Sequence, residues 1–252
     1  MSKPDYSRFE ALTFEGFRDL ARDDSLSPYE KIGFPDAYRA GHEEEIFRDI
    51  RAKLTNLDRK QQTVLDIGPG VSSLPRQLAD LCTANGHRLL LVDAAEVLDH
   101  LPDAPNVEKI AARYPDQCPE LFTRFGQGVD AVVCYSVLHY VFVEGNVFDF
   151  LDRSLGLLAP GGQMLIGDIP NVSKRKRFFG SAAGVRFHQQ FTGTDEVPEV
   201  VLNRLEPSKI DDAAVFALLG RARAAGFDAY VVPQGAALPL ANRREDVLIT
   251  RP

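Results

Sequence analysis

A chain of 252 residues, 44 % hydrophobic and 26 % charged, is long enough for one large domain or one domain with a small helical addition, and needs no metal or disulfide staple. Its net charge of −7 disfavours non-specific attraction to nucleic acid or to an anionic membrane. The longest apolar stretch, 131–143, is interrupted by Ser136 and His139 and is too short to span a bilayer.

The first residues, MSKPDYSRFE, lack the apolar run of a signal peptide, so the expectation is a soluble cytoplasmic protein. Residues 1–62 read as a helical cap, broken near Ser27-Pro28 and Gly33-Phe34-Pro35. Within it, 36–57 predicts one helix, because Ile46, Ile50 and Leu54 recur every four residues as an apolar stripe. Glu43, Glu44 and Glu45 lie early in that helix and Arg51 and Lys53 late, in agreement with the helix dipole.

From 63 to 168, short apolar runs at 63–67, 88–92, 107–111, 129–134 and 163–167 alternate with helical patterns. Such alternation predicts βαβ units around a parallel sheet buried on both faces. Asn85-Gly86 and Pro160-Gly161-Gly162 supply turns before the second and fifth runs. Residues 171–207 are less regular and read as an insert; 211–225 predicts a helix ended by Gly226. The last two runs, 228–232 and 246–250, predict an antiparallel pair at one sheet edge. The fold class is therefore α/β, a doubly wound sheet of seven strands over 63–252. Cys82, Cys118 and Cys134 form no CxxC pair and read as idle thiols of a reducing compartment.

The sharpest motif is Val64-Leu65-Asp66-Ile67-Gly68-Pro69-Gly70, a strand running into a Gly-x-Gly turn and then a helix. Glycine lets the backbone turn sharply and approach a ligand, and the free N–H groups of the next helix can meet electronegative atoms. An ordinary tight strand–helix turn is the competing reading. Asp66, at the strand's carboxyl end, would oppose a phosphate but suits a ligand with a cationic ammonium group. Asp93 ends the next strand, where an acid can accept hydrogen bonds from a ribose diol; alternatively it caps the helix starting at Ala94-Ala95-Glu96.

This combination resembles the class I S-adenosylmethionine-dependent methyltransferases over about residues 60–252. The D-x-G-x-G motif is Asp66-Ile67-Gly68-Pro69-Gly70, the ribose acid is Asp93, the fourth-strand segment is Val129-Asp130-Ala131-Val132-Val133-Cys134-Tyr135-Ser136-Val137-Leu138-His139-Tyr140, and the strand-five segment is Leu157-Leu158-Ala159-Pro160-Gly161-Gly162-Gln163-Met164-Leu165-Ile166. The late Ala225-Gly226-Phe227 entering an edge hairpin also matches. The resemblance implies strand order 3-2-1-4-5-7-6 with strand 7 antiparallel, and S-adenosyl-L-methionine as cofactor. It implies Asp66 and Gly68 at the methionine end, Asp93 on the ribose, and further contacts from Pro69, Gly70, Ala94, Ala112, Cys134 and Tyr135. Two departures stand out: Ser72 takes the place of a frequent third glycine, and Ala111-Ala112-Arg113-Tyr114 offers no acid for the adenine amino group, Asp116 being the nearest.

Methyl transfer from a sulfonium needs mainly alignment and exclusion of water, with a base only for a protonated acceptor. His139, just past the fourth strand, and Asp168, ending the fifth, are the candidates; a core-edge histidine and a turn former are the bland readings. His188 in the insert could swing over the site, or be loop polarity. Lys174-Arg175-Lys176-Arg177 reads as a solvated loop, as a phosphate clamp for an acceptor, or as a nucleic-acid contact. The expected function is methylation of an O or N atom of a small metabolite, a nucleotide-linked sugar on the clamp reading, with the cap and insert forming a lid. No metal ligand set is present in the pattern, and no nucleic-acid or membrane partner is expected. The alternatives are an NAD-linked oxidoreductase and a non-catalytic binding subunit.

Overall fold

The computed structural model describes residues 12–252, so the first part of the expected cap lies outside the described residues. Among the described residues four helices come first: α1 (Phe14–Arg22), α2 (Pro28–Lys31), α3 (Asp36–Arg39) and α4 (Glu43–Lys53), followed by a 3-10 turn, Thr55–Asp58. The sheet follows in alternation with helices: β1 (Thr63–Ile67), α5 (Leu74–Asn85), β2 (Arg88–Asp93), α6 (Ala95–Leu98), β3 (Val107–Ala111), α7 (Pro119–Phe125), β4 (Val129–Tyr135), α8 (Leu138–Glu144), α9 (Val147–Leu157) and β5 (Leu158–Pro170). Then come α10 (Val172–Phe179), α11 (Ala182–Thr192), α12 (Asp212–Ala224), β6 (Asp228–Val232) and β7 (Arg244–Thr250).

The strands order as β3-β2-β1-β4-β5-β7-β6, parallel except for β7, which runs antiparallel to both β5 and β6. This is the doubly wound α/β architecture expected. Alternating residues of β1 divide between two cores, Leu65 and Ile67 packing on one face and Val64 on the other, as the two-residue period of a strand requires. One face holds the apolar stripes of α7, α9 and α12; the other holds Ile46 and Ile50 of α4 and Leu54 just after it, with Leu78 and Cys82 of α5. All three cysteines are free and buried.

The structure departs from expectation in three places. The single helix expected over 36–57 is two, because Ala40 is extended and Gly41 takes φ +80°, a left-handed conformation that a helix cannot continue through. The insert expected to be irregular contains α10 and α11. Asn171 caps the first, its side chain accepting from the Ser173 and Lys174 N–H groups, and Ser181 caps the second, satisfying donors that would otherwise be orphaned. Finally, β5 runs past 167 and bulges between Ile166 and Ile169, where Asp168 adopts φ +58°. Among the described residues no helix is long and apolar enough to cross a membrane.

Candidate functional site

Parallel packing brings the carboxyl ends of β1, β2, β3 and β4 to one edge, where a cavity opens beneath the cap helices. At the end of β1, Gly68 and Gly70 take φ +68° and +66°. A Cβ at Gly68 would sit 2.7 Å from Val137 Cγ2, and one at Gly70 would sit 2.6 Å from Ile32 Cγ2. The bend thus has both a backbone and a packing reason for glycine, and the second neighbour belongs to the cap.

Asp66 and Asp93, on adjacent strands, both line this cavity. Asp66 is 5 % exposed; burial and the neighbouring Asp93 push its carboxyl up to about 8. Burial also raises Asp93, to about 6, against the pull of two backbone donors. These are the N–H groups of Ala94 at 2.7 Å and Gly70 at 3.3 Å. Asp93 is not a helix cap, because the cap position of α6 is Ala94 and makes no side-chain bond. Instead its half-buried carboxylate is held facing the glycine bend, and the two acids together suit a ligand offering a cation to one and hydroxyl donors to the other.

Of the other residues expected to meet the cofactor, Pro69, Ala112 and Tyr135 line the cavity, whereas Ala94 and Cys134 do not. Cys134 is wholly buried in the opposite core, since its neighbours Val133 and Tyr135 take the cavity-facing side of the strand. Ala94 packs instead with Ala21, Val71 and Val97 beneath the cap. Asp116, the acid nearest to strand three, does line the cavity, with Glu144, Asn146 and Asp149 on the same wall.

The two candidates for proton transfer sit behind the wall rather than in it. His139 is half-buried on α8, its ring 3.9 Å from that of Tyr140 and its Nδ1 sealed without a hydrogen-bond partner. Burial, reinforced by the Arg244 charge, lowers it to about 3, so the ring is neutral at any working pH. Asp168 is buried and engaged: it accepts from Ser136 Oγ at 2.5 Å and Arg244 Nη1 at 2.9 Å. Tyr135, Ser136 and Tyr140 present the wall itself. Tyr135 lies flat on Gly167, where a Cβ would come within 2.3 Å of its ring. Gly167→Ala is therefore expected to cost about 1–3 kcal/mol by overpacking and to displace Tyr135; an unchanged urea midpoint would show that the ring can yield.

Cover comes from the N-terminal segment. Phe14, Phe17, Lys31, Ile32, Phe34 and Arg39 all line the cavity. The cap is fastened where Arg18 forks onto Glu96 at 2.8 and 3.0 Å and the Phe14 N–H meets Glu144. These pairs are half-exposed and individually weak; the apolar contact of Phe14 and Ile32 with Val71, Ala94 and Val97 is the larger attraction. Residues of the insert, His188 included, are not among those lining this cavity. The basic cluster expected there as a loop lies on helix α10, and its cations are engaged: Arg175 and Lys176 with Glu206, Arg177 with Asp212, and Lys174 Nζ with the Arg244 carbonyl. None of the cap residues that close the site stood out in the sequence, because an arginine or phenylalanine in a short helix carries no signal of which way it will face.

No family model and no curated relative matches the sequence. Solved structures do match the fold. The N-methyltransferase NodS from Bradyrhizobium japonicum WM9, in complex with S-adenosyl-L-homocysteine, aligns over 95 % of this chain and 98 % of its own at 13 % identity, with a TM-score of 0.54. The plantazolicin methyltransferase BpumL, also in complex with S-adenosylhomocysteine, aligns over 95 % and 96 % at 12 % identity, with a TM-score of 0.56. A SAM-dependent methyltransferase from Aquifex aeolicus aligns over 89 % and 98 % at 15 % identity, with a TM-score of 0.51. With its strand order and its antiparallel seventh strand, this chain has the fold of the class I S-adenosylmethionine-dependent methyltransferases.

Proposed function

We propose that the protein is an enzyme that transfers the methyl group of S-adenosyl-L-methionine to an O or N atom of a small acceptor. The observation that carries this reading is the pair of carboxylates, buried Asp66 and half-buried Asp93, on adjacent strand tips at a bend with two left-handed glycines. Asp66 would hold the ammonium of the methionine end, and Asp93, aligned by the Gly70 and Ala94 N–H groups, the ribose hydroxyls. A dinucleotide would bring a diphosphate and no ammonium to Asp66, whose ionised form only a cation would favour, which is why the oxidoreductase reading is disfavoured.

The cofactor supplies an already activated methyl group, so this chain's task is alignment and exclusion of water. The cap supports a small acceptor, because Phe17, Phe34 and Ile32 close over the cavity that Tyr135 and Tyr140 line from below. His139 and Asp168 act through that wall as positioning residues, Asp168 by holding Ser136 and His139 by packing on Tyr140. A nucleotide-linked sugar loses its support, since the cations expected to clamp its phosphates are engaged with acids or a backbone carbonyl, outside the cavity.

Titration calorimetry with S-adenosylhomocysteine and with NAD tests the reading. Only the first should bind, and Asp93→Ala should weaken it by about 1–3 kcal/mol, the loss expected for stranded hydroxyl donors. Binding of NAD alone would overturn the assignment.

A further inference from the structure

Among the described residues the cavity wall carries three cations, Lys31, Arg39 and Arg113. Two are satisfied. Lys31 Nζ donates to the Ala21 carbonyl at 3.0 Å, and Arg113 Nη2 donates to the Glu144 carbonyl at 3.1 Å. Arg39 is different. It is 4 % exposed, yet its Nε has no hydrogen-bond partner. Its contacts are long: Ser136 Oγ at 3.5 Å, Asp168 at 3.6 Å and Glu43 at 3.9 Å. Asp168 is committed to Ser136 and Arg244, and Glu43 gives one oxygen to the Ser73 hydroxyl, while its Oε1, which faces the Arg39 Nε, stays too far off for a hydrogen bond and has no other partner. The guanidinium carbon lies 5.1 Å from the Phe34 ring centroid and 5.4 Å from that of Tyr135, contacts that engage its faces but not its N–H edges.

A guanidinium taken out of water without close hydrogen bonds is costly to keep, and its fixed fork matches a carboxylate with two parallel bonds. We propose that Arg39 is the receptor for a ligand carboxylate inside this cavity, carried either by the amino-acid end of the cofactor or by the acceptor. Asp168 and Glu43 position the fork without saturating it. The inference rests on the proposed methyltransferase reading for its ligands, but the charge on the wall is a property of the chain itself.

The experiment compares wild type and Arg39→Gln by calorimetry against S-adenosylhomocysteine and its decarboxylated analogue, S-adenosyl-3-thiopropylamine. Benzoate is then titrated into each protein with and without S-adenosylhomocysteine. If the cofactor supplies the carboxylate, the substitution weakens S-adenosylhomocysteine by about tenfold or more and the decarboxylated analogue by less than about twofold. If the acceptor supplies it, both adenosyl ligands bind unchanged and benzoate binding is lost. Arg39→Lys, which keeps the charge and drops the fork, should show an intermediate loss and guards against misfolding of the glutamine variant. Equal weakening of both adenosyl ligands, or no change in any titration, would overturn the proposal. Failure of wild type to bind either adenosyl ligand would instead sink the methyltransferase reading, leaving benzoate on the free proteins to judge Arg39.

Discussion

Asp246→Ala is expected to lower the stability of the protein by about 3–5 kcal/mol, in the range for breaking a buried charged network. Asp246 is fully buried on β7. Its carboxylate accepts from Lys53 Nζ at 2.7 Å, the Asp168 N–H at 2.8 Å and Gln234 Nε2 at 3.0 Å. Lys53 keeps Asp49 as a second partner, so the loss falls chiefly on the other two donors, each stranded at about 1–3 kcal/mol. Asp246→Asn keeps one acceptor and should lose less. The damage should also reach the site: the Asp168 N–H is what this carboxylate holds, and Asp168 in turn fixes Ser136 in the cavity wall. Urea denaturation measures the first effect and S-adenosylhomocysteine affinity the second. A stability loss below about 1 kcal/mol would mean that water replaces the missing oxygens and the network is not buried in solution.

The second large effect is a pH dependence of cofactor binding set by Asp66. In the free protein its carboxyl sits at about 8, so near neutrality it is mostly protonated. A ligand ammonium favours the ionised form, so the complex holds fewer protons than the free protein. Affinity is therefore full above pH 8 and falls as pH drops through that value. The fall approaches tenfold per unit below pH 8 and comes to about 50-fold between pH 8 and pH 6, since half of Asp66 is already protonated at pH 8. A second decline follows below about 6, where Asp93 gains its proton. S-adenosylhomocysteine should show both steps, whereas 5′-methylthioadenosine, lacking the ammonium, should show only the lower one. Asp66→Asn should flatten the upper step. Constant affinity for S-adenosylhomocysteine from pH 6 to 8.5 would remove Asp66 from the role of ammonium partner.

Much of the fold and the centre of the site were legible before any coordinates. The five parallel strands, the edge hairpin and the glycine bend are local patterns, read from periods of two and 3.6 and from turn residues. Asp66 and Asp93 were legible for the same reason, each standing at the carboxyl end of a strand that pairs with its neighbour in a parallel sheet. The side that Cys134 takes was not legible, because at a strand tip neighbouring residues such as Asp66 and Ile67 can both reach the cavity; packing turned Val133 and Tyr135 to it and Cys134 into the core. The helices of the insert were obscured by its glycine, proline and charge, although Asn171 and Ser181 are ordinary capping residues.

By itself, then, the order of residues determined which segments become strands and helices, that they alternate into a doubly wound sheet, and which two acids stand beside the bend. Only tertiary structure decided what meets them. The cap settles on the bend because Ile32 occupies the space that a Cβ at Gly70 would need. Arg39, about thirty residues before that bend, is brought to the wall beside Ser136, which follows β4 much later in the chain. His139 and Asp168 turn away because apolar packing and the Arg244 ion pair compete for them more strongly than an open cavity does. Contacts between residues distant along the chain depend on the summed packing of all the elements, and no short window of sequence contains that sum.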